Sequence, residues 1–128
     1  DKEQRKFYQQ VLDHFRDWGG TWSPHAWTYM RPVFEELKKL SVAHGFKLLI
    51  VCYPVRPQVE AKARFDDPQR HLEDVAKALD VPFLDMLPIL AAAHGAGEDL
   101  FLDHCHHTAT GNRIIAESVF RFIVDRQL

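Results

Sequence analysis

The chain has 128 residues, which is enough for one domain or for part of one. Its composition is 46% hydrophobic, 12% aromatic and 27% charged, so it can build a globular core. The formal net charge of −2 argues against a nucleic-acid-binding protein, and no apolar run is long enough to cross a bilayer. We therefore expect neither a nucleic-acid partner nor a transmembrane segment.

The first 45 residues are predicted to form a helical lead-in. Apolar side chains recur at helical spacing over residues 2–18, and a Gly-Gly pair ends that helix. A Ser-Pro pair then begins a second helix, which is expected to run from Pro24 to His44 and to end at Gly45. The apolar side of this helix contains Trp27, Met30, Val33, Phe34, Leu37 and Leu40.

Residues 46–128 are predicted to form a strand-helix-strand-helix core. Residues 46–53 are almost continuously apolar, which is typical of a strand buried on both faces of a parallel sheet. A helix is expected over residues 68–79, a short strand over 81–85, and a short helix over 87–94. Thr108 is expected to cap a final helix. This order of elements indicates the α/β class.

A strand as apolar as residues 46–53 requires neighbouring strands, and at a sheet edge it would invite association with another chain. We therefore expect the sheet to be completed by strands outside this sequence, from upstream residues, a separate chain or a second copy. Residues 1–128 are accordingly interpreted as a single, incomplete domain, with the lead-in over 1–45 and the core over 46–128.

Asp103 and His106 are the candidate catalytic residues. They lie at a turn between an apolar segment and the final helix. The carboxylate of Asp103 can hold one ring nitrogen of His106 while the other accepts a proton, so His106 would be a general base and Asp103 would orient it. An Asp-x-x-His spacing also arises by chance, and by itself it favours a simple helix-entry turn with exposed polar residues.

The surroundings of this pair resemble a known family. The segment LFLDHCHHTATGNRIIAE (residues 100–117) is similar to the last conserved block of the SGNH (GDSL-type) hydrolases. That block has an aspartate, two residues, the catalytic histidine, a small polar residue and a glycine that opens the last helix. Gly111 matches the glycine, whereas His107 replaces a frequent proline. Residues 48–58 and 81–90 also resemble family segments, so the resemblance covers about the last eighty residues.

This resemblance implies a three-layer, flavodoxin-like parallel sheet (an SGNH hydrolase-like α/β fold) of which only the C-terminal half is present in this chain. It implies that the complete enzyme hydrolyses an acyl or acetyl ester, with His106 as base and Asp103 as its orienting acid. The Gly-Asp-Ser nucleophile block and the glycine and asparagine oxyanion donors of the family cannot be placed in this sequence. We therefore expect the serine to lie outside the chain, the chain alone to be inactive, and no cofactor to be needed.

The serines of the chain do not fit a nucleophile. Ser41 and Ser118 fall on predicted helices, and Ser23 follows a Trp-rich loop without the strand-to-helix elbow that exposes a catalytic serine. Arg56 and Gln58 follow the end of the first predicted strand, where α/β sheets bind ligands. They are candidate substrate-binding residues, and the alternative is an exposed, merely solubilising loop.

Three other interpretations of the sequence remain open. The His-rich stretch around Asp103 could bind a metal ion, since His104 and His106 would point the same way on an extended backbone, although no distant ligand completes the set. Cys105 could be a nucleophile, but adjacent side chains on an extended backbone diverge from His106. The chain could also be a non-catalytic binding module, with its three tryptophans forming a contact surface. These are Trp18, Trp22 and Trp27.

Overall fold

The computed structural model describes residues 1–128, of which 63% are helical and 6% lie in strands. The elements in chain order are α1 (Lys2–Asp13), a 3-10 turn (Gly19–Trp22), α2 (Pro24–His44), β1 (Ile50–Cys52), α3 (Arg56–Glu60), α4 (Asp67–Ala78), β2 (Phe83–Asp85), α5 (Leu87–Gly95) and α6 (Ala109–Arg126). None of the helices combines the length and the apolar character needed to span a membrane.

The two strands form a two-stranded parallel sheet. The backbone N–H of Ile50 donates to the carbonyl of Pro82 at 2.9 Å, and the N–H of Met86 donates to the carbonyl of Cys52 at 3.0 Å. Each strand is three residues long and has only the other as a neighbour. The sheet is therefore a small component of a mostly helical chain.

The prediction of a three-layer, flavodoxin-like parallel sheet is wrong for this chain. The apolar run over residues 46–53 yields only the short strand β1, and its flanking side chains Phe46 and Tyr53 are 46% and 52% exposed. The physical reason is that apolar continuity favours burial without deciding between strand and irregular backbone. Most of the remaining chain carries helical periodicity, so only β2 is left to pair with β1.

Most helix boundaries follow from local signals in the sequence. Pro24 begins α2, and Gly45, with φ +71°, ends it in the left-handed conformation that glycine adopts readily. Thr108 caps α6, as expected, because its hydroxyl oxygen accepts the backbone N–H of Gly111 at 3.1 Å. The first helix ends at Asp13, earlier than predicted.

The chain divides into two compact units, the first of which comprises residues 1–50 and 63–83. Its core is aromatic. Phe7 of α1 stacks on Phe65 with ring centroids 3.9 Å apart, and Trp22 meets the edges of both Phe7 and Trp18 at 5.4 and 5.5 Å. Trp18 is buried, and Trp27 stacks on His71. Ring packing within this unit therefore involves all three tryptophans.

The second unit comprises residues 51–62 and 84–128. Its most completely buried side chains are Met86, Leu90 and Leu100. The side chain of Asp85 accepts the backbone N–H of Leu87 at 2.9 Å, so it satisfies a free donor at the start of α5. This unit contains the Asp103–His106 segment together with the elements that support it.

Candidate functional site

Residues 100–108 form a tight antiparallel hairpin. The backbone N–H of Leu102 donates to the carbonyl of His106 at 2.8 Å, and the N–H of Thr108 donates to the carbonyl of Leu100 at 3.0 Å. Residues Phe101 and His107 pair across it. The hairpin tip, residues 103–106, therefore has its two ends held by backbone hydrogen bonds.

The base of this hairpin is joined to the start of α6. The hydroxyl of Thr108 donates to the carbonyl of Asp99 at 2.7 Å while it accepts the N–H of Gly111. A Cβ on Gly111 would lie only 2.5 Å from the carbonyl oxygen of Leu100. Glycine at this position is therefore required for the close approach of the helix to the hairpin.

Asp103 and His106 are hydrogen-bonded to each other at the tip. Nδ1 of His106 lies 2.7 Å from Oδ2 of Asp103. The other carboxylate oxygen, Oδ1, accepts the backbone N–H groups of His106 and Cys105 at 2.8 and 2.9 Å. One carboxylate thus fixes both the backbone of the tip and the ring of the histidine.

These bonds favour the ionised form of the carboxylate. The pKa of Asp103 is held well below its usual range, first by the backbone N–H of His106, then by that of Cys105, and then by the His106 side chain. An anionic Asp103 can only accept from Nδ1, so the neutral imidazole has its proton on Nδ1. Nε2 makes no hydrogen bond, and the His106 side chain is 73% exposed. Its lone pair is available to accept a proton.

His107 has a different environment from His106. Its ring packs against Phe101 at 4.7 Å, and its Nε2 is buried without a hydrogen-bond partner. Burial, followed by the neighbouring charge of His106, lowers the pKa of His107. His107 is therefore a neutral packing residue in the arm of the hairpin that follows the tip. The SGNH family, whose last block this segment resembles, often has proline at this position.

The two candidate substrate-binding residues have different surroundings. Gln58 is buried, and its Oε1 accepts the backbone N–H of Val55 at 3.1 Å, which stabilises the start of α3. Arg56 is ion-paired with Glu60 at 2.6 Å, and its backbone N–H donates to the carbonyl of His104 at 2.8 Å. The structure therefore joins Arg56 to the hairpin tip.

Arg56 and Glu60 also line a pocket of about 220 Å³ in the second unit. The pocket is bordered by His94 and Asp99, and by Phe101 of the hairpin. Charged side chains of both signs face it, so it offers donors and acceptors to a polar ligand. Of the two candidate residues, only Arg56 contributes to it.

The position of Cys105 corrects one expectation. Its Sγ lies 3.6 Å from Nδ1 of His106, whereas adjacent side chains were expected to diverge. The backbone of the tip is turned, not extended, because Asp103 Oδ1 binds two successive N–H groups. Nδ1 is the nitrogen that faces Asp103, so Cys105 is not next to the free Nε2.

Two of the three serines of the chain have local structural roles. The hydroxyl of Ser41 donates to the carbonyl of Lys38, and that of Ser118 donates to the carbonyl of Ile114, each within its own helix. Ser23 precedes the first turn of α2. None of the three stands on a strand-to-helix elbow.

No protein-family model matches this chain, and the searches of curated proteins and of solved structures found no match either.

We expect a Gly111→Ala substitution to destabilise the protein by about 1–3 kcal/mol, since the new methyl group would overlap the Leu100 carbonyl. Urea denaturation measures this free energy of unfolding. Gly95→Ala is the matched control, because a Cβ there meets nothing within 4 Å. It should leave stability unchanged or raise it by less than about 1 kcal/mol. Equal effects of the two substitutions would contradict the proposed close approach.

The depressed pKa of Asp103 predicts a stability contribution with a defined pH dependence. The folded-state pKa lies below the unfolded value of about 3.9, so the contribution is present above that value and is lost as pH falls through the folded pKa. In an NMR titration, the ¹³Cγ chemical shift of Asp103 should remain that of an ionised carboxylate even when the pH falls below about 3.9. The amide resonances of Cys105 and His106 should shift when acid finally protonates Asp103, because both amides donate to its carboxylate. The Asp103→Asn substitution should abolish this shift. Titration of Asp103 at an ordinary carboxyl pKa is the contrary result.

Proposed function

We propose that this chain is the C-terminal part of an SGNH (GDSL)-type serine esterase, in which His106 is the general base and Asp103 orients it. The observation that carries the proposal is the 2.7 Å hydrogen bond between Nδ1 of His106 and Asp103, which leaves Nε2 unbonded. The resemblance of residues 100–117 to the family's histidine block supports the same roles.

In this proposal Nε2 of His106 takes the proton of a serine hydroxyl as the oxygen attacks the carbonyl carbon of an ester. The imidazolium then returns the proton to the leaving alkoxide, and a water molecule repeats the sequence on the acyl-enzyme. Asp103 stabilises the imidazolium through Nδ1 and remains ionised throughout. The substrate would be an acyl or acetyl ester.

The serine and the oxyanion donors are proposed to come from outside residues 1–128. Two of the three serines inside the chain bond to their own helices. A base without a nucleophile has no hydroxyl to activate, so residues 1–128 alone should not hydrolyse esters above the background rate of free imidazole. Arg56 is the proposed substrate contact, since it lines the polar pocket and its backbone bonds to the hairpin tip.

The proposal predicts a large and specific effect of His106→Gln. In a protein that joins residues 1–128 to the polypeptide encoded immediately upstream, the substitution should lower kcat/KM for p-nitrophenyl acetate by about a hundred- to ten-thousand-fold. His104→Gln is the matched control, because it changes another histidine of the same hairpin tip and should retain activity. Circular dichroism verifies that both variants are folded.

Equal activities of His106→Gln and the parent would contradict the assignment of the base. A joined protein that is folded but hydrolyses no ester would contradict the esterase proposal itself, and it would favour a non-catalytic binding module.

A further inference from the structure

We propose that the hairpin tip binds a zinc ion through three consecutive residues. The ligand atoms are a carboxylate oxygen of Asp103, an imidazole nitrogen of His104 and the thiolate sulfur of Cys105. In the structure these atoms all lie within 4.8 Å of one another. Thiolate, imidazole and carboxylate are the donors that Zn²⁺ prefers in proteins.

The three atoms are close to the spacing that a single ion requires. Ligand atoms bonded to a tetrahedral Zn²⁺ at about 2.0–2.3 Å lie roughly 3.3–3.8 Å apart, somewhat closer than the 4.8 Å within which these atoms lie. Small side-chain rotations therefore bring all three into range, and a water molecule can fill the fourth tetrahedral position. Binding forms a Zn–S bond and releases the thiol proton of Cys105 to the solvent.

The backbone of the tip is already organised for binding. The N–H groups of Cys105 and His106 are held by Asp103 Oδ1, and the hairpin is closed between Leu102 and His106. All three ligand residues lie on this closed turn, so little chain entropy is lost when the ion binds. His104 and Cys105 are partly exposed and Asp103 is exposed, so an ion can reach the site from solvent.

The zinc ion and His106 would compete for the same carboxylate. Oδ2 of Asp103 bonds to Nδ1 of His106, and a cation drawn to this carboxylate weakens that bond. Zinc should therefore weaken the Asp103–His106 hydrogen bond and lower the activity of the proposed esterase. The loss of activity rests on the proposed esterase function, whereas the binding of zinc does not.

Titration of the untagged chain with Co²⁺, an optical substitute for Zn²⁺, tests the site directly. We expect a thiolate-to-cobalt charge-transfer band that saturates at a single equivalent and is bleached by Zn²⁺. Cys105→Ser should abolish the band even though Cys52 is still present, because Cys52 is buried and burial raises the pKa of its thiol to about 12. His104→Gln should weaken binding by at least about tenfold.

His44→Gln is the matched control, since His44 is exposed at the end of α2, and it should leave the titration unchanged. His106→Gln should bind Co²⁺ at least as tightly as the parent, because it removes the competitor for Asp103. The proposal is overturned if no charge-transfer band forms, if the band survives in Cys105→Ser, or if His104→Gln binds like the parent. The readout is metal binding, so failure of the esterase proposal would not affect it.

Discussion

The carboxylate of Asp103 is the interaction on which the candidate site depends. It accepts two successive backbone N–H groups through Oδ1 and bonds to the imidazole of His106 through Oδ2. The two bonds to Oδ1 hold the backbone in a turn, and the bond to Oδ2 fixes the orientation of the His106 ring. Loss of this carboxylate would therefore disturb both the conformation of the tip and the tautomer of His106, because the same group holds the backbone and the ring.

The hairpin transmits this local order to the rest of the second unit. Leu100 is fully buried at its base, and its carbonyl receives the N–H of Thr108 while it lies against Gly111. Thr108 in turn caps α6. The position of His106 is consequently set by a buried leucine and by a helix N-terminus, although the histidine itself is largely exposed.

An exposed Asp–His pair contributes little to the stability of the fold, but it can orient the histidine ring. Surface ion pairs contribute little to stability because water screens them and ordering the side chains costs entropy. The Asp103 carboxylate avoids part of that cost, since the backbone donors that hold it belong to the same turn. The arrangement keeps the ring oriented while Nε2 remains open to a reactant, as a general base requires.

Much of the helical structure could be predicted from the sequence, whereas the sheet could not. The Ser-Pro start and Gly45 stop of α2, and the Thr108 cap of α6, are local signals that the backbone obeys. Apolar content predicts the strand over residues 46–53, but it does not determine which segments supply the hydrogen-bond partners. The apolar side of α2 shows the same difficulty, because Met30, Val33 and Leu37 are 43%, 54% and 41% exposed. Periodicity predicts which residues share a face without showing what covers it.

The candidate site could be predicted in part. The Asp-x-x-His spacing together with its surroundings predicts the pair that the structure brings together, since a turn over residues 103–106 lets the aspartate reach both the backbone and the ring. It could not reveal that Gln58 is buried as a partner of the Val55 amide, because that role depends on how α3 begins. Nor could it place Cys105 beside Nδ1, which follows from the turned backbone of the tip.

The most direct test of the account is the tautomer and partner of His106. Long-range ¹H–¹⁵N correlation spectra of the neutral imidazole should show the proton on Nδ1, with a downfield Nδ1–H resonance that disappears in Asp103→Asn. Nε2 should show the shift of an unprotonated nitrogen. A predominant Nε2–H tautomer, or spectra unchanged by Asp103→Asn, would contradict the claim that Asp103 holds the His106 ring with its proton on Nδ1.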